Sequence, residues 1–340
     1  MNLIRTTTIS FLIAIVLIFV LEILVRNFTE VIFLGTSKNL FDSVNHDRNV
    51  KNVTAITFDQ IVYTNKYGHR VSKEKIKKGY NLEKKSILIL GDSVAFGPGV
   101  KFEETFQGIL ESSFKEYNII NSSVIGNSVE DYKRILKEVL LKNLIKKNDD
   151  VFLLFCLNDV STVSSTDIKN QKYKKNTFKP KNDYIYDLKT IDIINKLNVI
   201  LRENSKLYLF IKGSLTNPSK RYFLYETQIY KNLQQDGINQ ILFPIKDIDN
   251  LLKSKGINFK LIILPYSYQL QNYDKDLRFP QKMLYEYFKN NNIPFIDATD
   301  HLMKQKVDKL DLFLKFDPMH FSSKGHVVLS EILIKFINNL

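Results

Sequence analysis

KSILILGDSVAFGPGV, residues Lys85 to Val100, is the stretch on which the reading of this chain turns. Its first six residues form a short apolar run bounded by glycine, the pattern of a strand buried on both faces of a parallel sheet. Gly91 permits a sharp turn, and Ser93 then projects from the end of that strand. Outward from it the same rhythm repeats. Thr105–Tyr117 has helical spacing (Phe106, Ile109, Leu110, Phe114), Asn118–Val124 reads as a second strand, and Val129–Lys147 as a long amphipathic helix. Val151–Leu157, Lys260–Pro265 and Ile293–Ala298 read as three further strands, and a terminal helix is predicted from about Ser323 to Asn338. Strands alternating with helices predict an α/β domain with a parallel sheet and helices on both faces. In such sheets the site lies beyond the carboxyl ends of the strands, so residues that follow strands are the ones to weigh.

A serine hydroxyl is a poor nucleophile at neutral pH and needs a base, which in turn needs an orienting acid. Five histidines are available: His46, His69, His301, His320 and His326. Only His320 has an acid at close spacing on a constrained loop, Asp317-Pro318-Met319-His320, placed after the fifth strand and before the terminal helix. His326 falls within that helix and reads as a packing or surface residue. Acyl transfer also requires donors for a developing oxyanion. Ser93 offers a backbone N–H, Gly126 after the second strand another, and Asn158 after the third strand a side-chain amide. A plain loop glycine and a turn-forming asparagine are the alternatives at the last two positions.

Gly91-Asp92-Ser93, Gly126, Asn158-Asp159 and Asp317-x-x-His320 stand in the order seen in the SGNH (GDSL-like) serine hydrolases, and the chain resembles that family over residues 60–160 and 255–340. Asn65-x-x-Gly68-x-Arg70 followed by ILILGDSVAFGPGV resembles its membrane-anchored bacterial branch. The resemblance implies a three-layer α/β/α, flavodoxin-like fold, Ser93-His320-Asp317 catalysis, an oxyanion hole from Ser93, Gly126 and Asn158, and neither metal nor cofactor. Asp92 is then a structural residue bonding nearby backbone, and Asn65 and Arg70 brace the nucleophile loop or bind substrate. In one respect the chain departs from the pattern: Cys156 stands where the family carries glycine, and a side chain there would crowd the loop or alter the donor geometry.

The rest of the chain sets the context. The 340 residues carry a net charge of +13, much of it in the middle: from Ser161 to Lys220 there are 12 Lys and Arg against 5 Asp and Glu. That excess suits a surface facing anionic lipid or an acidic polymer, and equally a set of solvated loops; no motif supports nucleic-acid binding. Cys156, the sole cysteine, has apolar neighbours and reads as a buried strand residue. Ile9–Val25 is apolar apart from Ser10 and Glu22, and as a helix would span about 25 Å, enough for a short membrane crossing. No small-residue cleavage site follows it, so residues 1–26 are expected to be an uncleaved, single-pass signal anchor of the cytoplasmic membrane. Glu22 is expected to reach the interface or to pair with Arg26. Residues 27–60 are expected to connect the anchor to a hydrolase-like domain, 61–340, whose residues 161–240 form a mainly helical insertion. The expected activity is that of a serine esterase or O-acyltransferase acting on an ester or acylated saccharide of the cell envelope. The alternative is a non-catalytic glycan-binding component on the same fold.

Overall fold

The computed structural model describes residues 2–41, 48–160, 192–272 and 274–338. His46 and the first part of the insertion, 161–191, lie outside them. Among the described residues a nine-stranded sheet runs through the molecule. Its centre is parallel: β5 (Lys85–Gly91) lies between β6 (Tyr117–Asn121) and β7 (Asp150–Cys156), followed outward by β8 (Asn258–Leu264) and β9 (Phe295–Asp297). Ile87 to Leu90 are wholly buried, as a strand flanked on both sides and covered on both faces must be. The chain runs from β5 to β6 in one direction and from β6 back past β5 to β7 in the other. Right-handed crossovers therefore place α3 (Phe106–Ser113) and α4 (Val129–Leu141) on opposite faces. The terminal helix, Ser323–Asn338, packs against α3, and the long helix Pro218–Ser254 packs against α4 and against Phe279–Asn290. The result is the three-layer α/β/α arrangement expected from the sequence.

The sheet is not wholly parallel. Four short strands extend it beyond β6: β1 (Ser37–Lys38), β2 (Thr54–Thr57), β3 (Gln60–Thr64) and β4 (Arg70–Val71), all antiparallel to their neighbours. Regular structure thus begins before Ile61, inside the stretch read as a connector. The extension joins the parallel core through one pair, Arg70 opposite Asn121.

The described part of the insertion is helical: α5 (Asp192–Asn204), α6 (Lys206–Thr216) and α7 (Pro218–Ser254), the last broken at Gln234, where φ is +53°. The second half of α7 is the crossover to β8. Ile238, Leu242, Ile245, Ile248 and Leu252 are wholly buried at helical spacing. Each such burial contributes about 1.5–3 kcal/mol relative to exposure, so this stripe fixes the helix on the sheet. At the other end of the chain α1, Asn2–Phe28, is long and apolar enough to cross a membrane, and its apolar side chains from Ile9 to Leu24 are exposed. Glu22 does pair with Arg26, at 2.6 Å.

The turn out of β5 is the tightest point near the sheet centre. A β-carbon added at Gly91 would lie 2.9 Å from the Leu154 carbonyl oxygen and 2.5 Å from the Ala95 side chain. Since Leu154 belongs to the neighbouring central strand, the backbone has little room to yield. Gly91→Ala is expected to cost about 1–3 kcal/mol, read from the midpoint of a urea transition. An unchanged midpoint would show that the strand relaxes around the methyl group.

Candidate active site

Ser93 begins a single helical turn, α2 (Ser93–Phe96), immediately after β5, and its side chain is almost fully buried. Asp92 caps that turn, its Oδ1 accepting the Val94 N–H at 2.8 Å. The loop carrying the other two residues is fixed at both ends and in the middle. Phe313 pairs with Phe321 across an antiparallel bridge, the Leu314 N–H donates to the His320 carbonyl at 2.9 Å, and the Ser267 N–H donates to the Pro318 carbonyl at 2.8 Å. Within the loop Asp317 Oδ1 accepts the backbone N–H groups of Met319 (2.9 Å) and His320 (2.8 Å). A carboxylate held by two N–H donors has one orientation, which leaves Oδ2 facing the imidazole.

His320 Nδ1 lies 2.8 Å from Asp317 Oδ2, and His320 Nε2 lies 2.8 Å from Ser93 Oγ. With the proton on Nδ1 donated to the carboxylate, Nε2 is an acceptor for the serine hydroxyl. Asp92 Oδ2 lies 3.4 Å from the same hydroxyl, a far weaker competitor. Burial opposes a charge on His320, but the charges of Asp317 and Asp92 outweigh it and hold the imidazole above its ordinary range. Phe58 stands edge-on to the imidazole, ring centres 5.1 Å apart.

The remaining predicted residues divide. Asn158, on the turn Leu157–Val160 after β7, donates its amide to Asp92 Oδ2 at 2.9 Å, which ties it to the nucleophile turn. Gly126 is exposed in the loop after β6, with φ +85° and open space over its α-carbon. Arg70 is fully buried and sits beneath the nucleophile loop. It donates Nη1 to the carbonyls of Phe96 and Gly97 and Nη2 to that of Val100 at 2.6 Å, while its guanidinium covers the Phe96 ring. Burial lowers its pKa to about 9. Asn65 works one step further back. Its Oδ1 accepts the N–H groups of Tyr67 (2.9 Å) and His69 (3.2 Å), closing the turn that leads into Arg70. Both thus bond backbone, Arg70 that of the loop after Ser93 and Asn65 that of the turn before Arg70. Cys156 does not crowd the loop: its side chain is wholly buried in the core, and its N–H donates to Asp159 at 2.9 Å. His326 is likewise buried, stacked on Phe106 at 5.6 Å, and burial lowers its pKa to about 3.

Two contributors escaped the sequence reading. Asn121 donates its amide to the Ala95 carbonyl at 2.9 Å, adding to the grip of its strand partner Arg70. Phe58 reaches His320 from the tight β2–β3 hairpin, whose central residues Phe58 and Asp59 both have positive φ. Neither of these is the Asn-Gly type that signals such a turn. A cavity of about 230 Å³ opens beside His320, lined among others by Val31, Phe58, Leu209, Gly213 and Met319.

No family model matches the chain, and no curated protein matches it. Solved structures of lipolytic proteins and esterases are among those it matches. A lipolytic protein of the G-D-S-L family from Veillonella parvula shares 14% identity, over 75% of this chain and 100% of that one, at a TM-score of 0.42. The lipase/acylhydrolase from Enterococcus faecalis shares 14%, over 75% and 96%, at 0.42. Axe2, an acetylxylan esterase from Geobacillus stearothermophilus, shares 14%, over 74% and 93%, at 0.40.

The geometry generates two predictions. Arg70→Met keeps bulk but leaves three loop carbonyls without their donor, and is expected to cost roughly 3 kcal/mol or more of stability, measured by denaturant unfolding. A loss within about 0.5 kcal/mol would mean that water replaces the guanidinium. Because the carboxylates raise His320, its neutral form is lost on acidification at a higher pH than in a free imidazole, near 6.5. Asp317→Asn removes the charge that raises it, so the His320 titration followed by NMR is expected to move to lower pH. A titration that stays in place would show that Asp317 does not set the charge state.

Proposed function

We propose that this chain is a serine ester hydrolase of the SGNH type, or an O-acyltransferase using the same acyl-serine chemistry. The observation that carries the proposal is the continuous relay from Asp317 Oδ2 through His320 to Ser93 Oγ, two contacts of 2.8 Å each. In the proposed reaction His320 Nε2 takes the Ser93 proton as Oγ bonds to the ester carbonyl carbon. The oxyanion is stabilised by the Ser93 N–H, Gly126 and Asn158. Collapse breaks the bond to the alcohol oxygen, which leaves with the proton from His320, and Ser93 retains the acyl group. Water, or the hydroxyl of a saccharide, then gives its proton to His320 and takes the acyl group, and Ser93 is restored.

The substrate we favour is an O-acyl group, such as acetyl, on a cell-envelope glycan or lipid-linked saccharide. Support comes from α1, whose length and exposed apolar surface suit a single-pass anchor in the cytoplasmic membrane, with the domain on the extracytoplasmic side.

A fluorophosphonate probe is expected to label the full-length protein and to fail with Ser93→Ala, whose kcat on a simple acetyl ester falls by about 10⁴-fold or more. Intact-mass measurement of the acyl-enzyme, chased with water or with an acetyl-accepting oligosaccharide, separates hydrolase from transferase. Folded wild-type protein that takes no label, or a Ser93→Ala variant that still does, removes the proposal.

A further inference from the structure

Glu22 is the one carboxylate in the apolar stretch Ile9–Val25 of α1, and its partners are not confined to α1. Oε2 accepts the Ser205 hydroxyl at 2.7 Å and the Leu207 N–H at 2.9 Å, and Oε1 accepts the Lys206 N–H at 2.9 Å. Glu22 thus caps the N-terminus of α6. Arg26 pairs with Glu22 and donates to the carbonyl of Asn204, the last residue of α5, at 2.7 Å. The turn between α5 and α6 is therefore fastened to α1 at Glu22, about 5 Å inside the end of the apolar stretch at Val25. At such a depth water is scarce, and first-turn N–H groups have to find their partners within the protein. Here they find a carboxylate from the anchor, and the carboxylate finds an arginine.

The two helices run back alongside each other from this turn, the Tyr208 hydroxyl of α6 donating to Asn198 Oδ1 of α5 at 2.8 Å. The outer face of α5 is apolar. Ile193, Leu197, Ile200 and Leu201, at spacings of four, three and one, are 68%, 53%, 57% and 40% exposed. On α6, Leu215 is 80% exposed. Between Asp192 and Arg221 six Lys and Arg stand against two acidic residues. A helix with an exposed apolar stripe and a basic surround, fixed beside a membrane span, has the composition of one lying in the interface of an anionic bilayer.

We propose that the α5–α6 hairpin is a second membrane contact. It lies in the lipid interface beside α1 with the Ile193–Leu201 stripe among the upper acyl chains and its cations at anionic headgroups. The proposal rests on α1 spanning the membrane. Its consequence is orientation: α6 also lines the cavity beside His320, through Leu209 and Gly213, so the mouth of that cavity is held at headgroup level.

The chain has no tryptophan, so one introduced indole is a unique reporter. Full-length single-tryptophan variants are reconstituted in phosphatidylglycerol-containing vesicles, with and without bromine on the lipid acyl chains. Leu17→Trp reports α1. Ile200→Trp and Leu197→Trp report the stripe. Leu82→Trp, exposed just before β5 at the end of the parallel strands remote from Ser93, is the reference. Brominated lipid is expected to lower the emission of Leu17→Trp and of the stripe variants by about twofold and to leave Leu82→Trp unchanged. Quenching at either stripe position upholds the proposal. If both behave as Leu82→Trp while Leu17→Trp is quenched, the hairpin is not in lipid and the anchor reading stands. Shielding from acrylamide in that case identifies protein as the cover. If Leu17→Trp is itself unquenched, the anchor reading and this proposal fall together, without bearing on the labelling of Ser93.

Discussion

The hydrogen bond between Ser93 Oγ and His320 Nε2 joins residues 227 positions apart, and the molecule around it is arranged to hold that distance at 2.8 Å. One partner is fixed by the sheet. Ser93 leaves the C-terminal end of its central strand on a turn capped by Asp92, so its position follows from β5 lying between β6 and β7. The other partner stands on a loop with no regular structure of its own and needs separate fixing. The Phe313–Phe321 bridge, the Pro318 carbonyl bonded to Ser267 and the two N–H groups on Asp317 supply it. The imidazole therefore has little freedom to turn, and the entropy of aligning it is lost during folding.

The antiparallel extension bears on the same distance from the other side. It is a small structure, and among the described residues its strands pair with the parallel core only at Arg70–Asn121. Yet both members of that pair send their side chains to carbonyls of the nucleophile turn: Asn121 to Ala95, and Arg70 to Phe96, Gly97 and Val100. Its hairpin places Phe58 against His320. A guanidinium with no solvent and no carboxylate bonded to it is expensive to bury, and the three loop carbonyls it meets are costly to leave without donors. Satisfying one with the other makes the loop and the extension interdependent.

What the sequence made legible follows the physics of each signal. The strands β5, β7 and β8 were readable because burial on both faces writes apolar runs, and α4 and the terminal helix because their apolar stripes repeat at 3.6 residues. That Ser93, His320 and Asp317 would meet was readable because the strand-end rule and the Asp-x-x-His spacing each narrow the choice on independent grounds. The strands β1–β4 were not, because elements of two to five residues carry too few positions to show a period. Glu22 was conspicuous as a charge in an apolar segment. Its bond to Arg26 was visible from the i, i+4 spacing, but its capping of α6 joins residues more than 180 positions apart and no local pattern announces it. Arg70 and Asn65 stand in a motif, and only the folded structure shows that both act on backbone.

The bond from Asn158 to Asp92 bears on the proposed chemistry. An asparagine amide carries two N–H groups, and one of them is committed to a carboxylate that also caps the turn beginning at Ser93. Asp92 thus aims two things at once, the nucleophile's turn and the side chain proposed to receive the oxyanion. Burial raises the pKa of Asp92, while the bonds from Asn158 and Val94 and the nearby imidazole act to lower it. The same carboxylate helps to raise His320. Loss of the Asp92 charge would therefore loosen the hold on Asn158 and lower the pKa of His320 together, so one carboxylate outside the Ser93–His320–Asp317 relay bears on both.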